Sequence, residues 1–118
     1  KMARREFPST ITAKAFYTGQ IETPSDKTYI VDPALKHAIT ITSFFAKTAS
    51  GTCTILLQQA GNNIAVAALS SSTGEYASAL VNASAAAAAA LTFTISSNSS
   101  AADLQFRIGY EYEVDLDE

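Results

Sequence analysis

The chain has 118 residues, enough for one domain whose core needs neither disulfides nor metals. Charged residues make up 16% of the chain and its formal net charge is −3, so it lacks the basic stripe with which proteins neutralise nucleic-acid phosphates. It contains no run of 18 apolar residues and no apolar segment after its basic N-terminus. We therefore expect neither nucleic acid nor membrane among its partners.

Residues 1–10 are predicted to form an extended arm, and residues 11–118 one domain with an acidic C-terminal tail. The first half of the domain alternates β-branched and aromatic segments with stretches rich in Gly, Pro, Ser and Asp. The predicted strands here are Ile11–Thr18, Thr28–Val31, His37–Thr48 and Thr52–Gln59. Gly19–Lys27 is predicted to be a loop, and the turn Ala49-Ser50-Gly51 to join the last two strands as a hairpin.

The second half continues with short strands and one low-complexity segment. After a turn at Gly61-Asn62-Asn63, the predicted strands are Ile64–Leu69, Glu75–Val81 and Leu91–Ser96, with a loop at Ser70–Gly74. Alanine dominates Ala83–Ala90, which favours a helix by propensity but is too short to be stable alone. The sequence leaves two alternative conformations for this segment, a helical turn and an irregular loop. Asn98-Ser99-Ser100 is predicted to turn the chain into its last strand.

The last strand, Leu104–Val114, shows the strongest alternation in the chain. Its even-numbered residues are apolar or aromatic and its odd-numbered residues are mostly charged or amides, which is typical of an antiparallel strand with one buried face. The adjacent Phe44 and Phe45 break such alternation, so we expect a bulge there or a strand covered on both faces. The candidate core phenylalanines are Phe44, Phe45, Phe93 and Phe106. Seven or eight short strands predict an all-β fold, a single antiparallel β-sandwich that is jelly-roll-like.

Residues that could support catalysis are sparse. His37 is the only histidine and precedes a strand, so we interpret it as a solvated residue at a strand end. Cys53, the only cysteine, has the same parity as neighbouring apolar residues and is interpreted as a small buried hydrophobe. Neither a nucleophile-elbow motif nor His or Cys pairs at metal-ligand spacing are present. We expect no enzyme activity and no cofactor.

The two ends of the chain carry opposite charges. A first hypothesis is that the basic arm of one subunit lies against the acidic tail of a neighbour. The residues of this assembly hypothesis are Lys1, Arg4, Arg5, Glu111, Glu113, Asp115, Asp117 and Glu118. A solvated acidic face is the simpler interpretation of the carboxylates, and calcium binding is a weaker alternative because the EF-hand spacing is missing. Sugar stacking is a further alternative for the tyrosines, which are Tyr17, Tyr29, Tyr76, Tyr110 and Tyr112.

Two stretches carry a resemblance to a known family. Ala38–Val66, which contains AITITSFFAKTASGTCTILLQQ, and Leu91–Tyr112, LTFTISSNSSAADLQFRIGYEY, resemble a small β-sandwich module of virion proteins in tailed bacteriophages. The module usually has Gly-Asp before the strand that begins here at Leu91, where this chain has alanines.

The resemblance implies a non-catalytic virion protein, either a capsid decoration or cement protein or a component of a fibre or collar. It further implies partners in other virion proteins and in copies of the chain itself, as a trimer or another symmetric oligomer. The alternative is a receptor- or glycan-binding module of a tail fibre that recognises a host surface glycan through loops such as Gly19–Lys27 and Ser70–Gly74.

Overall fold

The computed structural model describes residues 10–69, 75–76 and 80–115, and these form nine strands. The strands are β1 (Thr10–Ile21), β2 (Thr28–Asp32), β3 (Ile39–Lys47), β4 (Ser50–Gln59), β5 (Asn62–Leu69), β6 (Glu75–Tyr76), β7 (Ser84–Ala85), β8 (Leu91–Ala102) and β9 (Leu104–Asp115). Within this part of the chain, no helix is long and apolar enough to cross a membrane.

The strands form two antiparallel sheets. The first sheet has the order β1-β9-β3-β6, with β7 also paired to β3, and the second has the order β2-β8-β4-β5. The first four strands alternate between the sheets, and so do the last two, which is the topology of a jelly roll. The predicted all-β sandwich is therefore confirmed. The two-residue β7 lies in the alanine-rich segment, where no strand was predicted.

The core lies between the two sheets and comes mainly from β3, β4, β8 and β9. Phe44 and Phe93 are among its largest fully buried side chains. The half-buried Phe106 meets Phe93 edge-on at a centroid distance of 5.0 Å. The further buried apolar residues include Ile39, Ile41, Ile55, Leu57, Ile64, Leu91, Ile95, Leu104 and Ile108.

β3 contains a β-bulge just before the adjacent Phe44 and Phe45. Ile41 pairs with Tyr110 of β9, and the next pair is Ser43 with Gly109, so Thr42 is an extra residue on β3. The bulge changes which parity faces inward: Ile41 is buried before it and Phe44 after it. Of the two alternatives, a bulge is confirmed, but it lies at Thr42, two residues before the pair. Phe45, a candidate core residue, instead lies half-buried on the outer face of the sheet.

The predicted hairpin between the third and fourth strands is wrong. β3 pairs with β9 in the first sheet, whereas β4 pairs with β5 and β8 in the second. The connection therefore crosses from one sheet to the other. Thr48 is fully buried in this connection, and its hydroxyl donates to the carbonyl of Gly51 at 3.1 Å. A turn signal shows that the chain reverses direction, but not which sheet it enters.

Three predicted turns or loops also differ from the structure. β8 runs through Asn98 to Ala102 instead of turning, because Ser99 and Ala102 still pair with β4. The Asn98 amide donates to the distant Pro24 carbonyl at 2.8 Å, and its oxygen accepts from the Ala101 N–H at 3.0 Å. The β4–β5 turn consists of Ala60 and Gly61, both with positive φ, while Asn62 already pairs in β5.

The loop predicted from Gly19 begins later, since Gly19 and Gln20 belong to β1. The inward-facing ring of Phe106 on β9 covers Gly19, where a Cβ would stand 2.8 Å from that ring. Glycine thus makes room for an aromatic side chain on the paired strand.

The alanine segment is irregular, which confirms the second of the two alternatives. Ser84–Ala85 pair with β3, and the following residues form a turn in which Ala88 has a φ of 72°. Two backbone hydrogen bonds tie this turn to Leu35: Ala88 N–H donates to Leu35 O at 2.7 Å, and Leu35 N–H donates to Ala89 O at 2.9 Å. Tertiary pairing outweighs the helix propensity of alanine here.

Candidate functional site

The outer face of the first sheet is the leading candidate site. On β9, which lies at its centre between β1 and β3, the even-numbered residues point to the core and the odd-numbered residues point outward. The outward residues form rows across the strands, in the order β1, β9, β3. These rows are Thr12–Glu113, Lys14–Glu111–Thr40, Phe16–Gly109–Ser43, Thr18–Arg107–Phe45 and Gln20–Gln105–Lys47.

An aromatic and cationic cluster lies near the middle of this face. The Arg107 guanidinium carbon is 5.8 Å from the ring centroid of Phe16 and 5.5 Å from that of Phe45. Phe16 is 61% exposed, although its ring extends over Gly109, where a Cβ would approach it to 3.2 Å. We call Phe16, Phe45 and Arg107 the Phe16 cluster. It is an apolar surface with a cation held between two rings.

Charge is divided along the same face. Glu111, Glu113 and Asp115 lie on one side of the Phe16–Gly109 row, and Arg107 and Lys47 lie on the other. The Thr12 hydroxyl donates to a Glu113 carboxylate oxygen at 3.0 Å. Lys14 is the one cation on the acidic side of the described face, directly opposite Glu111. The face therefore has an acidic half and a basic half.

Three of the sequence-predicted assembly residues, Glu111, Glu113 and Asp115, share this face, as the period-two pattern indicated. The others lie outside the described residues, so the pairing of arm and tail stays a prediction; they are Lys1, Arg4, Arg5, Asp117 and Glu118. No three His, Cys, Asp or Glu side chains in the described ranges are grouped closely enough to hold a metal ion.

Sequence reasoning missed the Phe16 cluster. One signal was available: Phe16 is the only aromatic residue on the polar parity of the first strand, between Lys14 and Thr18. Its contact with Arg107 and Phe45 depends on the register of three strands distant in sequence, which no local pattern contains.

A second candidate is a row of rings at one end of the sandwich. His37 stacks on Tyr112 at 5.2 Å and Tyr17 stacks on Tyr110 at 4.8 Å, while Tyr110 and Tyr112 lie 6.1 Å apart. Together with Asp32 and other residues they line a pocket of about 180 Å³. Because the rings largely cover one another's faces, the row presents mainly ring edges and polar tips to the pocket.

Tyr17 also connects the two sheets. Its hydroxyl donates to Asp32 Oδ2 at 2.7 Å, and Asp32 Oδ1 accepts from the Ala34 N–H at 3.1 Å. Burial, followed by the hydrogen bond and charge of Asp32, raises the pKa of the Tyr17 phenol well above its usual range. The phenol therefore stays protonated and holds β1 of the first sheet to the end of β2.

Cys53 is buried in the core, and this burial raises the pKa of its thiol. A protonated, enclosed thiol is a poor nucleophile, which agrees with its interpretation as a small hydrophobe. His37 is exposed at the sandwich end, just before β3.

Comparison with known proteins adds little to this description. Neither a family model nor a curated protein matches the chain. A solved structure, that of the infectious bursal disease virus Gx strain, is similar over 86% of this chain, with a TM-score of 0.40 and 11% sequence identity. The chain spans 31% of the length of that matched chain. The resemblance to the tailed-phage module therefore rests on the two sequence stretches that carry it.

Proposed function

We propose that this chain is a non-catalytic structural protein of a tailed-phage virion, a capsid decoration or cement protein or a part of a fibre or collar. In this proposal it assembles with copies of itself and with other virion proteins. The observation that carries the proposal is the Phe16 cluster, an exposed aromatic surface centred on a sheet face that is otherwise polar and charged.

Such a surface suits contact with another protein. Aromatic residues and arginine are enriched at the energetic centres of protein interfaces, whereas a polar rim surrounds those centres. Phe16 is 61% exposed, so its ring remains largely in contact with water in the single chain. A partner that covers this ring would remove the apolar surface from water. Jelly rolls are found in viral capsids and also in lectins, so the fold itself does not decide between these functions.

The test is the absolute mass in solution, measured by light scattering at low and high salt on the full chain and on a form without residues 1–6. We expect a symmetric oligomer that dissociates as salt screens its charges. Phe16→Ser should reduce assembly, while Val66→Ser, which removes a similarly exposed apolar side chain from the other sheet, is the matched control. A monomer under every condition and at every concentration would refute self-assembly.

The second candidate function is glycan binding, favoured by the tyrosine- and histidine-lined pocket beside Asp32 and Lys36. Phenol and carboxylate groups at the edge of stacked rings can hydrogen-bond sugar hydroxyls. A glycan array probed with the wild-type chain and with Tyr112→Ala tests it. Binding that survives this substitution, or no binding at all, would argue against the pocket as a glycan site.

A further inference from the structure

We propose that the outer face of the first sheet pairs with the same face of a second copy of this chain. The twofold axis would lie midway between the facing first sheets of the two copies. It would run at right angles to the strands and pass over the Phe16–Gly109 row. This inference rests on the proposed assembly function and names the partner, the contact surface and the symmetry.

The order of the rows makes the face self-complementary. Counting from the Phe16–Gly109 row, Glu111 lies one row away on the acidic side and Arg107 one row away on the basic side. Glu113 and Lys47 lie two rows away on these respective sides. An axis across the strands reverses the row order, so that Arg107 of each copy faces Glu111 of the other. Lys47 comes to lie next to Glu113 of the second copy in the same way.

Other arrangements of two facing copies do not match the charges. An axis parallel to the strands keeps the row order and brings like rows together, so that Arg107 faces the basic half of the second copy and Glu111 its acidic half. Like charges placed opposite one another oppose association. The distribution of charge along β9 therefore selects the axis across the strands.

The centre of the proposed contact is apolar. The axis passes over the Phe16 row, so the exposed rings of the two copies meet, each lying over the Gly109 of its own chain. Face-to-face sheets lie about 10 Å apart, a gap that arginine and glutamate side chains from opposite sheets can span together. Aromatic contact at the centre and ion pairs on both sides then act together.

The size of the face sets the strength of the contact. Three strands, each about 4.8 Å wide, and five rows about 7 Å apart give a face of roughly 14 by 34 Å. This is smaller than the roughly 800 Å² per partner of a standard stable interface, so the pairing should be weak and sensitive to salt. A weak contact of this kind becomes effective where a larger assembly holds copies close together.

A charge exchange tests the pairing. Arg107→Glu and Glu111→Arg each place two like-charge contacts in a dimer, whereas a mixture of the two variants restores both opposite-charge contacts. By sedimentation equilibrium up to about 1 mM, each variant alone should dimerise about tenfold or more weakly than wild type, and the mixture should recover dimers. Circular dichroism confirms that each variant is folded.

A second pair of variants covers the case in which Arg107→Glu, by placing a carboxylate between two phenylalanine rings, disturbs the fold. Lys47→Glu and Glu113→Lys alter residues farther from the cluster and should show the same loss and recovery, with a smaller amplitude. If neither mixture recovers dimers, the twofold pairing is refuted. If wild type forms oligomers whose stability these charge exchanges do not change, the twofold pairing is refuted but the assembly function is not. If wild type stays monomeric to about 1 mM, both are refuted.

Discussion

The two sheets of this sandwich present very different outer faces. The outer face of the first sheet carries the Phe16 cluster between an acidic and a basic half. The outer face of the second sheet carries hydroxyl, amide and apolar side chains, and none of its described residues is charged. They include Thr28, Ile30, Thr54, Leu56, Gln58, Val66, Thr92 and Thr94.

This difference shows that exposed apolar residues alone do not make a sheet face specific for one partner. Ile30 and Val66 on the second sheet are 67% and 62% exposed, as much as Phe16 on the first. Exposed apolar residues are therefore not special to one face. What distinguishes the first sheet is the ordered charge around its aromatic centre, because opposite charges at defined rows favour one partner and one orientation over others.

The largest expected effect lies in the core that both faces share. Phe93→Ala should lower the free energy of unfolding by about 3–5 kcal/mol, since it removes a fully buried ring that packs against Phe106 and Tyr29. Urea denaturation measures it. A loss below about 1 kcal/mol would mean that the two sheets are not held together at this point.

A smaller effect is expected at Gly109, directly beneath Phe16. A methyl group there meets the Ser43 hydroxyl and crowds Phe16, so Gly109→Ala should destabilise the fold by about 1–3 kcal/mol. Removing the Ser43 hydroxyl in the double variant with Ser43→Ala should recover part of the loss, as a thermodynamic cycle would measure. Additive losses would contradict the steric explanation.

Tyr17→Phe should cost about 1 kcal/mol near neutral pH, because it removes the hydrogen bond to Asp32 that joins the sheets. The pKa of Tyr17 is raised in the folded chain, so its contribution is complete below the ordinary tyrosine pKa of about 10 and is lost as the pH rises above that value. Unfolding curves between neutral pH and pH values above 10 should therefore converge for wild type and variant. Parallel curves would show that Tyr17 does not titrate as described.

The smallest effect is expected on the outer face of the second sheet. Val66→Lys places a charge opposite Leu56 on that neutral face and should change stability by less than about 0.5 kcal/mol. It should also leave self-association unchanged, as sedimentation would show, in contrast to a charge reversal at Arg107. Equal losses of assembly from both substitutions would remove the distinction between the faces.

The sequence by itself determined the fold class and the parity of the strands. Alternation has a period of two and is local, so the inward residues of β9 and the outward carboxylates Glu111, Glu113 and Asp115 could be read from their own segment. The adjacency of Phe44 and Phe45 was enough to raise the bulge as an alternative, since strict alternation cannot place both rings on one face.

Only the tertiary structure decided what lies beside what. Whether β3 pairs with β4 or β9, whether Asn98 ends a strand, and whether the alanine segment is helical all depend on hydrogen-bond partners that are distant in the chain. The Phe16 cluster has the same origin, since it requires β1, β9 and β3 in one register. Local patterns specify the direction of a side chain, but long-range pairing specifies its neighbours, and the neighbours make the surface.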